Sequence, residues 1–183
     1  MFGEIAQLVE GLLGVRAEEV AHAVAVYVVP MAHQSGLGSD VARTAQWVNL
    51  SAQVAGAALA TLLAGRLGYL TVFVGASALY LTAWFLLSHI LPGGAFIAVY
   101  AVTGFAALLV GPFLTPMMID ADPSRRAAMQ SGAAQILGGA MGPFLASLAL
   151  GRGDVHGVLL LGGALMLTGL AGFAALRFTH RRL

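Results

Sequence analysis

The chain has 183 residues, 59% of them apolar and 9% charged, with a formal net charge of +1. A soluble domain carries about a quarter charged residues, so this composition argues against an ordinary water-solvated fold. No basic cluster stands outside the tail "RFTHRRL", so nucleic acid is not an expected partner, and the lack of cysteine excludes disulfide and thiol chemistry.

Charge-free windows set the elements. Lys, Arg, Asp and Glu are absent from 44–65, 67–88, 90–119, 127–151 and 157–176. A bilayer core takes about 20 such residues per helix, and one soluble core has no room for five of these in series. The expectation is an all-α integral membrane protein, one membrane domain over 1–183. Six transmembrane helices are read at about 4–34, 41–65, 68–90, 94–119, 124–150 and 155–177. The connections "SGLGSD", "GRLG", "LPGG", "DADPS" and "GRGD" are short and rich in turn residues. Glu4 and Glu10 stand where a secretory signal would carry positive charge, so the N-terminus does not read as one.

Helix 1 carries a polar stripe at steps of three and four: Glu4, Gln7, Gly11, Gly14, Glu18 and His22. Glu18, Glu19 and His22 fall at mid-depth, where an ionised acid costs about 2.5–3.5 kcal/mol. Glu18 and His22, four apart, can share a proton, and Arg16 can pair with Glu19. Two readings stand: a proton-coupling or substrate site facing a cavity, or an interfacial amphipathic segment over 1–19. Helix 2 sets Gln46, Asn49, Gln53, Gly56 and Ala60 on one face; the small residues read as packing. Asn49 and Gln53 read either as interhelical hydrogen bonds or as cavity lining.

Helices 3 and 6 have few polar groups and are expected to face lipid. In helix 4, Tyr100, Thr103 and Thr115 line a cavity or simply pack, and Pro112 and Pro116 bend the helix. Helix 5 opens on Asp122, which suits the helix N-terminus, with Arg125 and Arg126 at the interface. Within it Gly138, Gly139 and Gly142 allow close helix approach, Gly142-Pro143 gives a bend, and Gln135 lies at mid-depth. His33, His89 and His156 fall near one surface, but not at spacings of three or four, and no metal site or cofactor is expected.

Arginine orients the chain. With both termini cytoplasmic, the inner loops and tail hold Arg66, Arg125, Arg126, Arg177, Arg181 and Arg182, and the outer loops only Arg43 and Arg152. That follows the positive-inside rule. Sliding the chain against itself by 82 residues aligns helix 2 with helix 5: Asp40 on Asp122, Arg43 on Arg125, Gln53 on Gln135, Gly56 on Gly138. The same offset sets Pro30 on Pro112. An offset of three helices means opposite entry into the membrane, a 3+3 inverted-topology repeat of units 4–90 and 94–177, the construction of many secondary transporters.

The stretch "GPFLTPMMIDADPSRRAAMQSGAAQILGGAMGP" resembles the tenth and eleventh helices of the major facilitator superfamily with their loop. "YVVPMAHQSGLGSDVA" resembles the end of its seventh helix and the turn into the eighth. "LLAGRLGYL" is similar to its Gly-x-x-x-Asp-Arg-x-Gly-Arg-Arg loop motif: Arg66 and Gly68 match, while Gly65 stands for the Asp and Tyr69 for an Arg. The resemblance runs from about residue 15 to the end and implies the C-terminal six-helix half of a twelve-helix transporter.

The implied function is transport of a small solute across a cell inner membrane by alternating access, with proton coupling through helix 1 as an added expectation. Its pathway residues are Glu18, Glu19, His22, Asn49, Gln53, Tyr100 and Gln135. Arg66, Asp122, Arg125 and Arg126 belong to gating and the cytoplasmic loops; Gly138, Gly142, Pro143 and Pro112 to packing and bends. The expected partners are lipid, the solute, protons and a second six-helix half, self or separate. The competing reading is a non-transporting six-helix membrane protein or transporter remnant with a structural or partner-binding role. No pattern of catalytic residues stands out, so an enzyme is not expected.

Overall fold

The computed structural model describes residues 27–121, 136–137, 140–142, 144–148 and 155–180. These are all helix, turn or short connection, with no strand among the described residues. In chain order the helices are α1 (Val28–Gln34), α2 (Ser39–Leu63), α3 (Tyr69–Leu87), α4 (Gly93–Ala121), α5 (within 136–148) and α6 (His156–His180). Each falls inside or within three residues of an expected helix. The expectations on Glu18, Glu19, His22, Asp122, Arg125, Arg126, Gln135, Gly138 and Pro143 lie outside the described residues.

Two glycines make the turns possible. Gly36, at φ 72°, follows α1; its N–H bonds to the His33 carbonyl and that of Leu37 to the Ala32 carbonyl. This paired closure needs a left-handed residue, which glycine supplies without a Cβ clash. After α2, Ala64 at φ −57°, ψ 128° and Gly65 at φ 79° form a type II turn closed by the Arg66 N–H on the Leu63 carbonyl.

Packing centres on α2 against α4, with α3 against α4 and α6, and α1 against α2. The α2–α4 seam is close because glycine faces backbone. A Cβ on Gly56 would strike the Phe105 carbonyl oxygen, and one on Gly104 would come within 2.5 Å of the Asn49 carbonyl oxygen. Small residues at helix contacts let backbones approach in this way.

α3 presents two unlike sides. Val72, Ala76, Tyr80, Ala83, Trp84 and Leu87 are buried on one side, while Val74, Leu79, Phe85 and Leu86 are exposed on the other. A helix apolar all round has no periodicity from which its inner face can be read.

α4 runs unbroken through Pro112 and Pro116. Each proline lacks the N–H that would bond the carbonyl four residues back, which loosens that stretch. The segment Gly93–Phe113, 21 residues, is long and apolar enough to cross a membrane, and 33% of it is buried inside the protein. Among the described residues it is the one such helix; Thr71–Leu87 and His156–Thr168 are apolar but shorter. α2 has the length, but Gln46, Asn49, Ser51, Gln53 and Thr61 dilute its apolar character.

Candidate functional site: a polar seam between α2 and α4

The polar stripe of α2 lies against α4. Asn49, 5% exposed, donates from Nδ2 to the Tyr100 carbonyl at 2.7 Å and to Thr103 Oγ1 at 3.1 Å. Thr103 donates its own hydroxyl to the Tyr100 carbonyl at 2.7 Å. One turn along α2, Gln53 donates from Nε2 to Asn49 Oδ1 at 2.9 Å. One turn the other way, Gln46 Oε1 accepts the Tyr100 hydroxyl at 3.2 Å. Residues 46, 49 and 53 share one helical face by their spacing, which is why a single stripe supplies the network.

The network is graded in depth. Asn49, Tyr100 and Thr103 are buried, whereas Gln46 and Gln53 are half-buried at the seam's margin. Tyr100 stacks on Phe96, ring centroids 6.2 Å apart and planes 6° from parallel, which fixes its ring across the seam. The centre is therefore a closed interhelical lock, and the two glutamines are its open edges. The arrangement holds hydrogen-bond donors and acceptors without a charged group, so it suits neutral polar contacts rather than ion coordination.

The outward faces show the complementary pattern. Trp47, Val54 and Leu62 on α2, Phe85 on α3, Ile136 and Leu148 on α5 and Leu160 on α6 are all more than 60% exposed. Exposed hydroxyls on these helices turn inward on their own backbone. Thr44, Ser51, Thr61, Thr82, Ser147 and Thr168 each donate to a carbonyl three or four residues earlier. Such back-bonding satisfies each hydroxyl within its own helix.

Asn49, Gln53 and Tyr100 are thus brought together, and Thr103 and Gln46 join them. Arg66 stands apart: it is exposed and donates from Nη1 to the Leu62 carbonyl at 3.3 Å, closing the last turn of α2. Pro112 is exposed and Gly142 buried. The side chain of Thr115 lies outside the described residues. Among the described residues Trp84 buries its indole N–H without a hydrogen-bond partner, a deficit of about 1–3 kcal/mol for such a group. A second constellation, Gln34 with Ser88, Val155 and His156, was not foreshadowed by any motif. No family model matches the chain, and neither the curated proteins nor the solved structures contain a match to it.

Proposed function

We propose that the chain is a six-helix membrane domain that forms half of a secondary transporter of the major facilitator type. The observation that carries this reading is the inverted polarity: large apolar residues on the outward faces, with the amides of Asn49 and Gln53 turned onto a helix seam. Hydrocarbon rewards that distribution and water does not. The 82-residue offset, setting Gln53 on Gln135 and Gly56 on Gly138, supports a 3+3 inverted repeat able to exchange inward-open and outward-open packings.

In this reading Gln53 contributes to the solute path from the margin of the seam, with Glu18 and His22 coupling protons from helix 1. A second six-helix half closes the cavity. The deciding experiment reconstitutes the chain with and without a candidate N-terminal half and follows solute uptake under an imposed pH gradient. Glu18→Gln is expected to abolish proton-driven accumulation while leaving downhill exchange intact. Accumulation equal to the parent's would remove Glu18 as the coupling site.

The closed bonding of Asn49, Tyr100 and Thr103 favours a second reading, a six-helix membrane protein whose polar seam only holds helices together. Uptake that never exceeds that of empty vesicles, with any partner half, would select it. Topology is a separate prediction. With six arginines inward against two outward, both termini and the loops at Arg66 and 122–126 face the cytoplasm. A cysteine at position 124 in this Cys-free chain is expected to label only from inside; labelling only from outside would invert the assignment.

A further inference from the structure

The polar seam has a direction, and its root is the Tyr100 carbonyl, a backbone group that can only accept. Asn49 meets that carbonyl at 2.7 Å with one end of its amide, so that end must be Nδ2. Thr103 gives its own hydrogen to the same carbonyl, which leaves a lone pair on Oγ1 for Asn49 Nδ2 at 3.1 Å. These two bonds take the NH₂ end of Asn49, and Oδ1 is the end that faces Gln53. An oxygen there calls for a donor, so Gln53 must present Nε2, at 2.9 Å. What remains of Gln53 is Oε1. The direction of an amide is assigned from its partners, and here a backbone group makes the assignment for both side chains.

Gln53 Oε1 has no hydrogen-bond partner among the described residues. It is accessible at the margin of the seam, where Gln53 is half-buried. Turning the amide over is closed to it, because Oε1 would then face Asn49 Oδ1, oxygen against oxygen. Gln46 differs. It lies seven residues earlier on the same face, about 10 Å along α2 at the helical rise. Its partner is the Tyr100 hydroxyl, which can donate or accept, so the Gln46 amide can present either end. The margin thus has one end of fixed polarity and one that adapts.

We propose that Gln53 Oε1 is a binding position for a hydrogen-bond donor on the solute, an N–H or O–H group, and that Asn49 is the positioning residue that fixes this polarity. The solute class is therefore small polar molecules that carry a donor, such as primary amides and hydroxyl compounds. A molecule with acceptors alone meets oxygen with oxygen at this position. That the bound molecule is carried rests on the transport reading above; the polarity of Gln53 rests on the seam alone. One hydrogen bond at a half-buried position corresponds to about threefold to tenfold in affinity between solutes otherwise alike.

Acetamide and acetone are the probes, since they share a shape and differ by an NH₂ where acetone has a methyl. The whole chain, isotope-labelled at the glutamine Cδ, is titrated with each in lipid nanodiscs and followed by NMR. The Gln53 signal is assigned by its absence in Gln53→Leu. Acetamide is expected to shift that signal at a concentration about threefold to tenfold lower than acetone does. In Asn49→Leu the Gln53 amide is released to turn over, so this preference should fall towards none. A merely structural role of Asn49 would weaken both probes alike and leave their ratio. Thr103→Val keeps the Tyr100 carbonyl as the root and should keep the preference. Helix content by circular dichroism shows which variants fold, and the parent comparison decides without them. Equal response to the two probes, or none to acetamide, overturns the proposal, as does a preference that a folded Asn49→Leu protein leaves intact. Uptake that never exceeds that of empty vesicles overturns the transport reading instead, and with it the claim that the bound molecule is carried.

Discussion

Gly56→Ala is expected to destabilise the protein by about 1–3 kcal/mol, the range for forcing extra atoms into a packed contact. The new Cβ would strike the Phe105 carbonyl oxygen, with the Phe105 carbonyl carbon at 3.1 Å and the Leu109 nitrogen at 3.3 Å. All three atoms are backbone, so no side-chain rotation relieves the clash and α2 must move away from α4. Gly104→Ala should act the same way from the facing helix. Its Cβ would lie 2.5 Å from the Asn49 carbonyl oxygen and 2.7 Å from the Asn49 side-chain amide. Gly75→Ala is the control, since nothing lies within 4 Å of the added Cβ. It should leave stability unchanged or raise it by up to about 1 kcal/mol through helix propensity. Thermal unfolding reads all three. A Gly56→Ala protein as stable as the Gly75→Ala control would mean that α2 and α4 do not meet along this face.

These glycines mark what the sequence could and could not convey. Gly56 was legible because it continues the stripe Gln46, Asn49, Gln53 on one face of a helix whose other faces lack that spacing. Gly104 sits in a helix apolar on every side, where one more small residue carries no periodic signal. The inner face of α3 was hidden for the same reason, and Trp84 with it. Among the described residues, bounds such as those of α2 came through because charge and glycine mark the ends of its apolar run, at Asp40 and Gly65. The Gln34–Ser88–His156 constellation was illegible for another reason. His156 is 122 residues from Gln34 and 68 from Ser88, and no helical period links residues in different connections. What brings them together is the alternation of helix direction, which sets the end of α1, the end of α3 and the start of α6 at one level.

Asn49→Ala is expected to lower stability by about 1–3 kcal/mol, from two lost donor bonds at roughly 0.5–1.5 kcal/mol each and the space left behind. The surviving partners limit the loss. The Tyr100 carbonyl keeps the Thr103 hydroxyl, and Gln53, half-buried, keeps access to other contacts. Thr103→Val should cost less, because Asn49 retains the shorter bond to the Tyr100 carbonyl. A double-mutant cycle between Asn49→Ala and Thr103→Val should show a coupling of about 0.5–2 kcal/mol, as side chains in direct hydrogen-bond contact do. Gln53→Leu is the informative contrast. It removes the bond to Asn49 Oδ1 at the margin and leaves the buried core of the network in place, so stability should change by less than about 1 kcal/mol. If Gln53 lines a solute path, uptake in the reconstituted assembly falls while this stability holds. If uptake is unchanged and Asn49→Ala still unfolds early, the seam is a helix lock from end to end, and the solute path belongs to other faces of the bundle.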